Sequence, residues 1–136
     1  MANDIKSSLT LGFDGVYIPS FNKTIYVKNL TKINNFIVLG SAHNVKEVKE
    51  KEKQGVELIF LSPIFNVKKS KKNLGINRFN LIANTSKSKI IALGGVTNSN
   101  IKKMKILRAY GFASISLFKK KAPINGALFK YLYNNT

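Results

Sequence analysis

The chain has 136 residues, enough for one domain around a single core, and its 44% hydrophobic and 10% aromatic content excludes a disordered tail. The absence of cysteine excludes disulfides and thiolate metal sites. No apolar run approaches the ~18 residues of a membrane span, and MANDIKSSLT lacks a signal layout, so a soluble cytoplasmic protein without a membrane partner is expected. The net charge of +17 invites a nucleic-acid reading, but Arg78 and Arg108 are the only arginines and the lysines run along the whole chain. Base readers and phosphate clamps favour the bidentate fork of arginine. A chain also rich in Asn, Ile and Phe follows from AT-rich codons, so no nucleic-acid partner is expected.

A helix is predicted near Asp4–Leu11, stopping at Gly12, and a strand over Phe13–Ile18. The next strand is Phe36–Gly40. Asn44 followed by Glu47 has a capping-box arrangement that opens a helix, and Gly55 suits its end. A third strand covers Glu57–Leu61, and NVKKSKKN at Asn66–Asn73 reads as a polar, mobile loop. Lys89–Leu93 is a fourth strand. A helix should start after Thr97-Asn98-Ser99, carry Ile101, Met104, Leu107 and Tyr110 on one face, and stop at Gly111. Ala113–Phe118 is the last predicted strand, and a final helix covers roughly Ile124–Tyr133. Each strand run is short, continuous in its hydrophobicity and rich in β-branched or aromatic residues, as in parallel sheets covered on both faces.

Alternating strands and helices predict right-handed βαβ units in one domain over 1–136, with no internal boundary. A full (β/α) barrel takes about 200–250 residues. With about five parallel strands, the fold expected is an incomplete barrel of the TIM type whose first strands are absent. The alternatives are a truncated or degenerate chain, a barrel closed by oligomerising, and an open sheet, which would expose strand edges and apolar faces.

Active sites of these barrels lie at the C-terminal ends of the strands, with phosphate near the last two. IIALGGVTNSN places Gly94 and Gly95 at the penultimate strand end, where bare backbone N–H groups approach an anion; glycines also serve tight turns. The N–H groups of Phe118 and Lys119 would complete that pocket. Ser41 and His43 follow another strand, and the lysine-rich loop suits closure over a phosphate. Asn3, Asp4 and Asn22 are the remaining polar groups in matching places, with a helix cap as the alternative role for Asp4.

Asn3-Asp4, GFDGVYIPS, GSAHN, FLSPIF, ALGGVTNSN and YGFASISLF, in that order from Asn3 to about Lys119, resemble the successive strand-end motifs of thiamine phosphate synthase and its relative, the thiazole tautomerase. The resemblance implies a magnesium-dependent enzyme that joins hydroxymethylpyrimidine diphosphate to thiazole phosphate. By it, Asp4 and Asn22 fall on the magnesium position, with Asn3 beside them on the diphosphate. Ser41 falls on a diphosphate-contacting serine, Lys71 on a loop lysine, and Gly95, Phe118 and Lys119 on the thiazole-phosphate cradle. His43 falls on the acid/base of the tautomerase, a position where synthases also carry histidine. The chain departs from the pattern in several places. Asn22 stands where the family has a second aspartate, NVKKSKK replaces a Thr-x-Thr-Lys loop, FASIS replaces Ala-Asp-Gly-Val-Ala, and the early Gln-x-Arg strand contacts are absent. A tautomerase-like enzyme using the cradle and His43, and a non-catalytic protein binding phosphorylated ligands, are the alternative functions.

Overall fold

The structure is a computed structural model. It describes residues 3–24, 29–30, 32–33, 35–68, 72–119 and 131–132. The chain forms two compact units, Met1–Phe60 with Ser86–Lys89, and Leu61–Thr85 with Ile90–Thr136.

The first unit opens with helix α1 (Ile5–Thr10), then strands β1 (Gly15–Ile18) and β2 (Ile37–Ala42), helix α2 (Val45–Lys53) and the start of β3 (Leu58–Leu61). β1 and β2 run parallel with Val16 opposite Val38 and Ile18 opposite Gly40. Glu57 N–H continues the pattern by donating to Val38 O at 3.1 Å. Burial alternates along β1: Val16 and Ile18 are buried, whereas Tyr17 is only half so. The buried side is the helix-covered one, because a Cβ on Gly40 would point at Val56 and Lys51. On the opposite side the Tyr17 and Phe60 rings lie 6.3 Å apart, tilted by 56°. The expectation of strands buried equally on both faces is therefore corrected for β1 and β3, whose apolar runs keep a period of two in burial.

The second unit holds helix α3 (Gly75–Thr85), strand β4 (Lys89–Leu93) from Ile90 on, a 3₁₀ segment (Ile101–Ile106), strand β5 (Gly111–Ala113), helix α4 (Ile115–Lys119) and strand β6 (Tyr131–Leu132). β4 and β5 pair in parallel, with Ala92 opposite Phe112. α3, which the sequence reading did not single out, buries Phe79 and Ile82. Its Asn80 fastens the end of the 3₁₀ segment, donating to Ile106 O at 2.9 Å and accepting from Arg108 N–H at 2.7 Å.

Three further expectations are corrected. The helix expected after Thr97-Asn98-Ser99 is the 3₁₀ segment Ile101–Ile106, and it stops short of Tyr110 and Gly111. The apolar residues 101, 104, 107 and 110 recur every three positions, which is the period of a 3₁₀ helix and not of an α-helix. The last parallel strand is Gly111–Ala113, not Ala113–Phe118. There Ser114 Oγ accepts the Leu117 N–H at 3.2 Å, the N-cap contact that starts α4. Finally, Tyr131–Leu132 is a strand antiparallel to β5, inside the stretch expected to be a helix; the rest of that stretch lies outside the described residues.

Candidate functional site

In the first unit, Asn3, Asp4 and Asn22 gather at the end of β1. Asn3 has a left-handed backbone (φ 56°) and donates its N–H to Tyr17 O at 2.7 Å. Asn22 Nδ2 donates to Asn3 Oδ1 at 2.7 Å, and Asn22 Oδ1 accepts from Thr24 N–H at 2.8 Å. Asp4 caps α1: Oδ1 accepts from Ser7 N–H at 2.9 Å and Oδ2 from Ser7 Oγ at 2.7 Å. These two bonds, the hydroxyl's foremost, hold the carboxyl below its usual range, so Asp4 is an anion at neutral pH.

Ser41 and His43 are placed by β2 and the start of α2. Ser41 is buried inside the strand. His43 is just past it, and Glu47 Oε2 takes both its main-chain N–H, at 2.8 Å, and its Nδ1, at 3.0 Å. The expected Asn44–Glu47 box is present: Asn44 Oδ1 accepts from Glu47 N–H at 3.0 Å, and Asn44 Nδ2 donates to Glu47 Oε1 at 2.9 Å. In this box the glutamate reaches back one residue further than usual, to His43, and so orients the imidazole. Partial burial opposes ionisation of Glu47, but the bonds from His43 and Asn44 outweigh it and keep the carboxyl below 4.5. A recess of about 400 Å³ opens beside this turn, lined by Ser20, Lys23, Asn44, Glu47 and Glu50 among others.

The sequence reading missed Lys51 and Gln54, which are buried behind Asn22. Lys51 Nζ donates to Asn22 O at 2.6 Å and to Gln54 Oε1 at 2.9 Å. Gln54 Nε2 donates to Asn22 O and to Thr24 O, each at 3.0 Å. Their sequence signal is the three-residue step Val48, Lys51, Gln54, which continues the buried stripe of α2.

In the second unit, Gly94 and Gly95 follow β4 with φ of 94° and 73°. A Cβ on Gly95 would stand 2.6 Å from Asn66 O and 2.7 Å from Phe65 O, and one on Gly94 3.0 Å from Pro63 Cα. The pair of glycines is thus required by the close pass of the Pro63–Asn66 main chain. Asn100 Nδ2 donates to Gly95 O at 2.8 Å while its Oδ1 accepts from Thr97 N–H at 2.9 Å. Ser114 and Ser116, not anticipated as site residues, both donate to Val96 O, at 2.8 and 3.0 Å. They tie the turn after β4 to the start of α4, which carries the backbone of Phe118 and Lys119. Those two residues therefore present helical backbone, not the strand end expected. Lys71 lies outside the described residues.

Among the described residues no cluster of three or more His, Cys, Asp or Glu could hold a metal by itself, and no helix is long and apolar enough to cross a membrane.

The sequence profile of the thiamine monophosphate synthase family matches residues 1–118. An Aquifex aeolicus protein provisionally named thiamine-phosphate synthase 2 is 36% identical over 115 residues, covering 82% of this chain and 60% of that one. A thiamine-phosphate synthase of Methanococcus vannielii is 26% identical over 106 residues, covering 76% and 50%. Among solved structures, a thiamine phosphate pyrophosphorylase from Pyrococcus furiosus superposes with a TM-score of 0.65 at 20% identity, covering 85% and 55%. The chain thus spans between 50% and 60% of the length of these relatives. The likeness of structure bears out the incomplete barrel expected from the strand pattern.

Proposed function

Because the chain belongs to the thiamine monophosphate synthase family, we propose that it makes thiamine phosphate from hydroxymethylpyrimidine diphosphate and thiazole phosphate. In that reaction the thiazole nitrogen attacks the pyrimidine methylene. The bond from that carbon to the diphosphate oxygen breaks, and diphosphate leaves with the electron pair. No proton need move, so the protein's task is to hold two anions in line and to stabilise the leaving charge.

The observation that carries this reading is the junction of Gly94-Gly95-Val96 with the start of α4, made by Ser114 and Ser116 on one carbonyl. It joins backbone turns from the last two parallel strands, where barrels of this type bind phosphate. Thiazole phosphate is assigned to this junction. Diphosphate is assigned to Asn3, Ser41 and Asn22, with Lys71 as the loop lysine.

Magnesium suits the donors in kind: an ionised Asp4 carboxylate and the amide oxygen of Asn22 are hard ligands. A single carboxylate leaves the ion to take its other ligands from water and diphosphate, as magnesium commonly does. Asp4 and Asn22 would hold it, and it would neutralise charge on the leaving group.

Calorimetric titration with thiazole phosphate tests the cradle. Binding is expected, weakened about tenfold in Ser114→Ala, which removes both the α4 cap and one tie to Val96. Absence of binding to the unaltered chain refutes the assignment.

A second reading, tautomerisation of a thiazole phosphate, draws on the His43–Glu47 contact. With Nδ1 engaged by the carboxylate, the ring's other nitrogen is the one left to move a proton. Proton exchange from a thiazole phosphate carboxylate analogue, lost in His43→Gln, separates this reading from synthesis.

A further inference from the structure

Lys51 is fully buried, and among the described residues its ammonium faces no carboxylate at bonding distance; the acceptors it has there, Asn22 O and Gln54 Oε1, are neutral oxygens. Taking an ammonium out of water with only neutral acceptors costs stability that an apolar side chain of the same length would not. Space is made for it: a Cβ on Gly40 would meet Lys51 Cδ at 3.1 Å and Val56 Cγ1 at 3.0 Å, so the strand beneath is stripped where the stem crosses. Burial pushes the ammonium pKa down; Glu50 and Glu47 oppose this from a distance and Lys23 adds to it.

What the buried amine and its neighbour hold is one segment of main chain. Together they make three bonds to carbonyls of the turn after β1, two on Asn22 O and one on Thr24 O. Asn22 in turn carries Asn3 on its side-chain amide. The same helix α2 is capped by Asn44, directly after His43. One rigid helix therefore sets both the turn that bears Asn22 and the turn that bears His43.

We propose that Lys51 and Gln54 are positioning residues for the diphosphate end of the site, a buried clamp that fixes the Asn22 backbone and, through it, the Asn22–Asn3 pair. The proposal rests on the assignment of diphosphate to Asn3 and Asn22. It predicts that the clamp acts on geometry at those residues and leaves the thiazole phosphate cradle untouched.

The test uses the full chain, inorganic pyrophosphate with magnesium as the probe, and the variants Lys51→Met, Lys51→Arg and Gln54→Ala. Two readouts are taken: amide hydrogen exchange at residues 22–24, and calorimetric affinity for pyrophosphate beside that for thiazole phosphate. In Lys51→Met and Gln54→Ala, exchange at 22–24 should accelerate about tenfold and pyrophosphate affinity fall about as much, with thiazole phosphate affinity unchanged. Lys51→Arg, which keeps donors in place, should recover part of both. Unchanged exchange in a folded Lys51→Met or Gln54→Ala overturns the clamp. Faster exchange with unchanged pyrophosphate affinity overturns its positioning role and leaves a structural contact. If the unaltered chain fails to bind pyrophosphate, the diphosphate assignment itself falls, an outcome distinguished from the others by the behaviour of the parent protein.

Discussion

Asn22 stands where the resemblance puts an acidic ligand, and its amide spends both ends on neighbours, Nδ2 on Asn3 and Oδ1 on Thr24. Asn22→Asp keeps the oxygen and adds a charge, while replacing a donor to Asn3 with a second acceptor. Magnesium-dependent pyrophosphate affinity should rise about tenfold, read by magnesium titration; no gain would mean that residue 22 is not a ligand. Lys51 predicts a pH effect of definite sign. Burial, the leading cause, holds its ammonium pKa below 10.5, so the folded chain releases this proton before the unfolded one does. Its penalty on stability is present in full below the folded value and is relieved as pH rises toward 10.5. Melting curves of the parent protein and Lys51→Met should therefore converge or cross in favour of the parent on the alkaline side. The places of His43 and the glycine pair at strand ends were legible because polar or bare residues after apolar runs mark such ends. Lys51 was not, since one buried lysine looks like every solvated one until a backbone carbonyl is placed against it. The glycine pair was legible as a turn after a strand but not in its cause: Gly95 lacks a Cβ because Asn66 O and Phe65 O leave no room. Any side chain at 95 therefore strains the turn before it can repel a phosphate, which makes Ser114 the better position to probe.

At the scale of elements, α2 is anchored at both ends. Asn44 caps its first turn, and Glu52 near its end accepts from Ser86 Oγ at 2.8 Å, Lys87 N–H at 2.7 Å and Lys49 Nζ at 2.9 Å. Asn44→Ala should cost about 1 kcal/mol in denaturant unfolding. Burial opposes ionisation of Glu47 and Glu52, but their hydrogen bonds outweigh it and set both pKa values below 4.5. That contribution is present in full above 4.5 and is lost as pH falls through the lower folded values. Acid titration of helicity should show this loss, and Glu52→Gln should reduce it. The strands β1 to β4 were found from their apolar runs to within two residues at each end. The errors came where a local signal competed with hydrophobicity. Ile115 continues an apolar run in sequence, yet it is 68% exposed, because Ser114 caps a helix there instead of extending β5. α3 escaped notice because it starts on Gly75, a residue that reads as a turn, and follows a lysine-rich stretch with no capping signal.

For the whole molecule, the order of strands, helices and strand-end motifs carried the family, and the profile match over residues 1–118 agrees with that order. What sequence could not supply was the second layer of contacts within each unit: the serines on Val96 and the lysine clamp behind Asn22. Both are made by common polar residues whose meaning depends on a partner far along the chain, at separations of 18 and 29 residues. The net charge of +17 would favour the two anionic substrates proposed above, although its spread along the chain gives it no single address. The most direct measurement is formation of thiamine phosphate by this 136-residue chain from hydroxymethylpyrimidine diphosphate, thiazole phosphate and magnesium. Thiamine phosphate and diphosphate are expected in equal amounts above the uncatalysed background. No product, with thiazole phosphate still bound, would contradict the synthase reading and leave a protein that binds a phosphorylated ligand without turning it over.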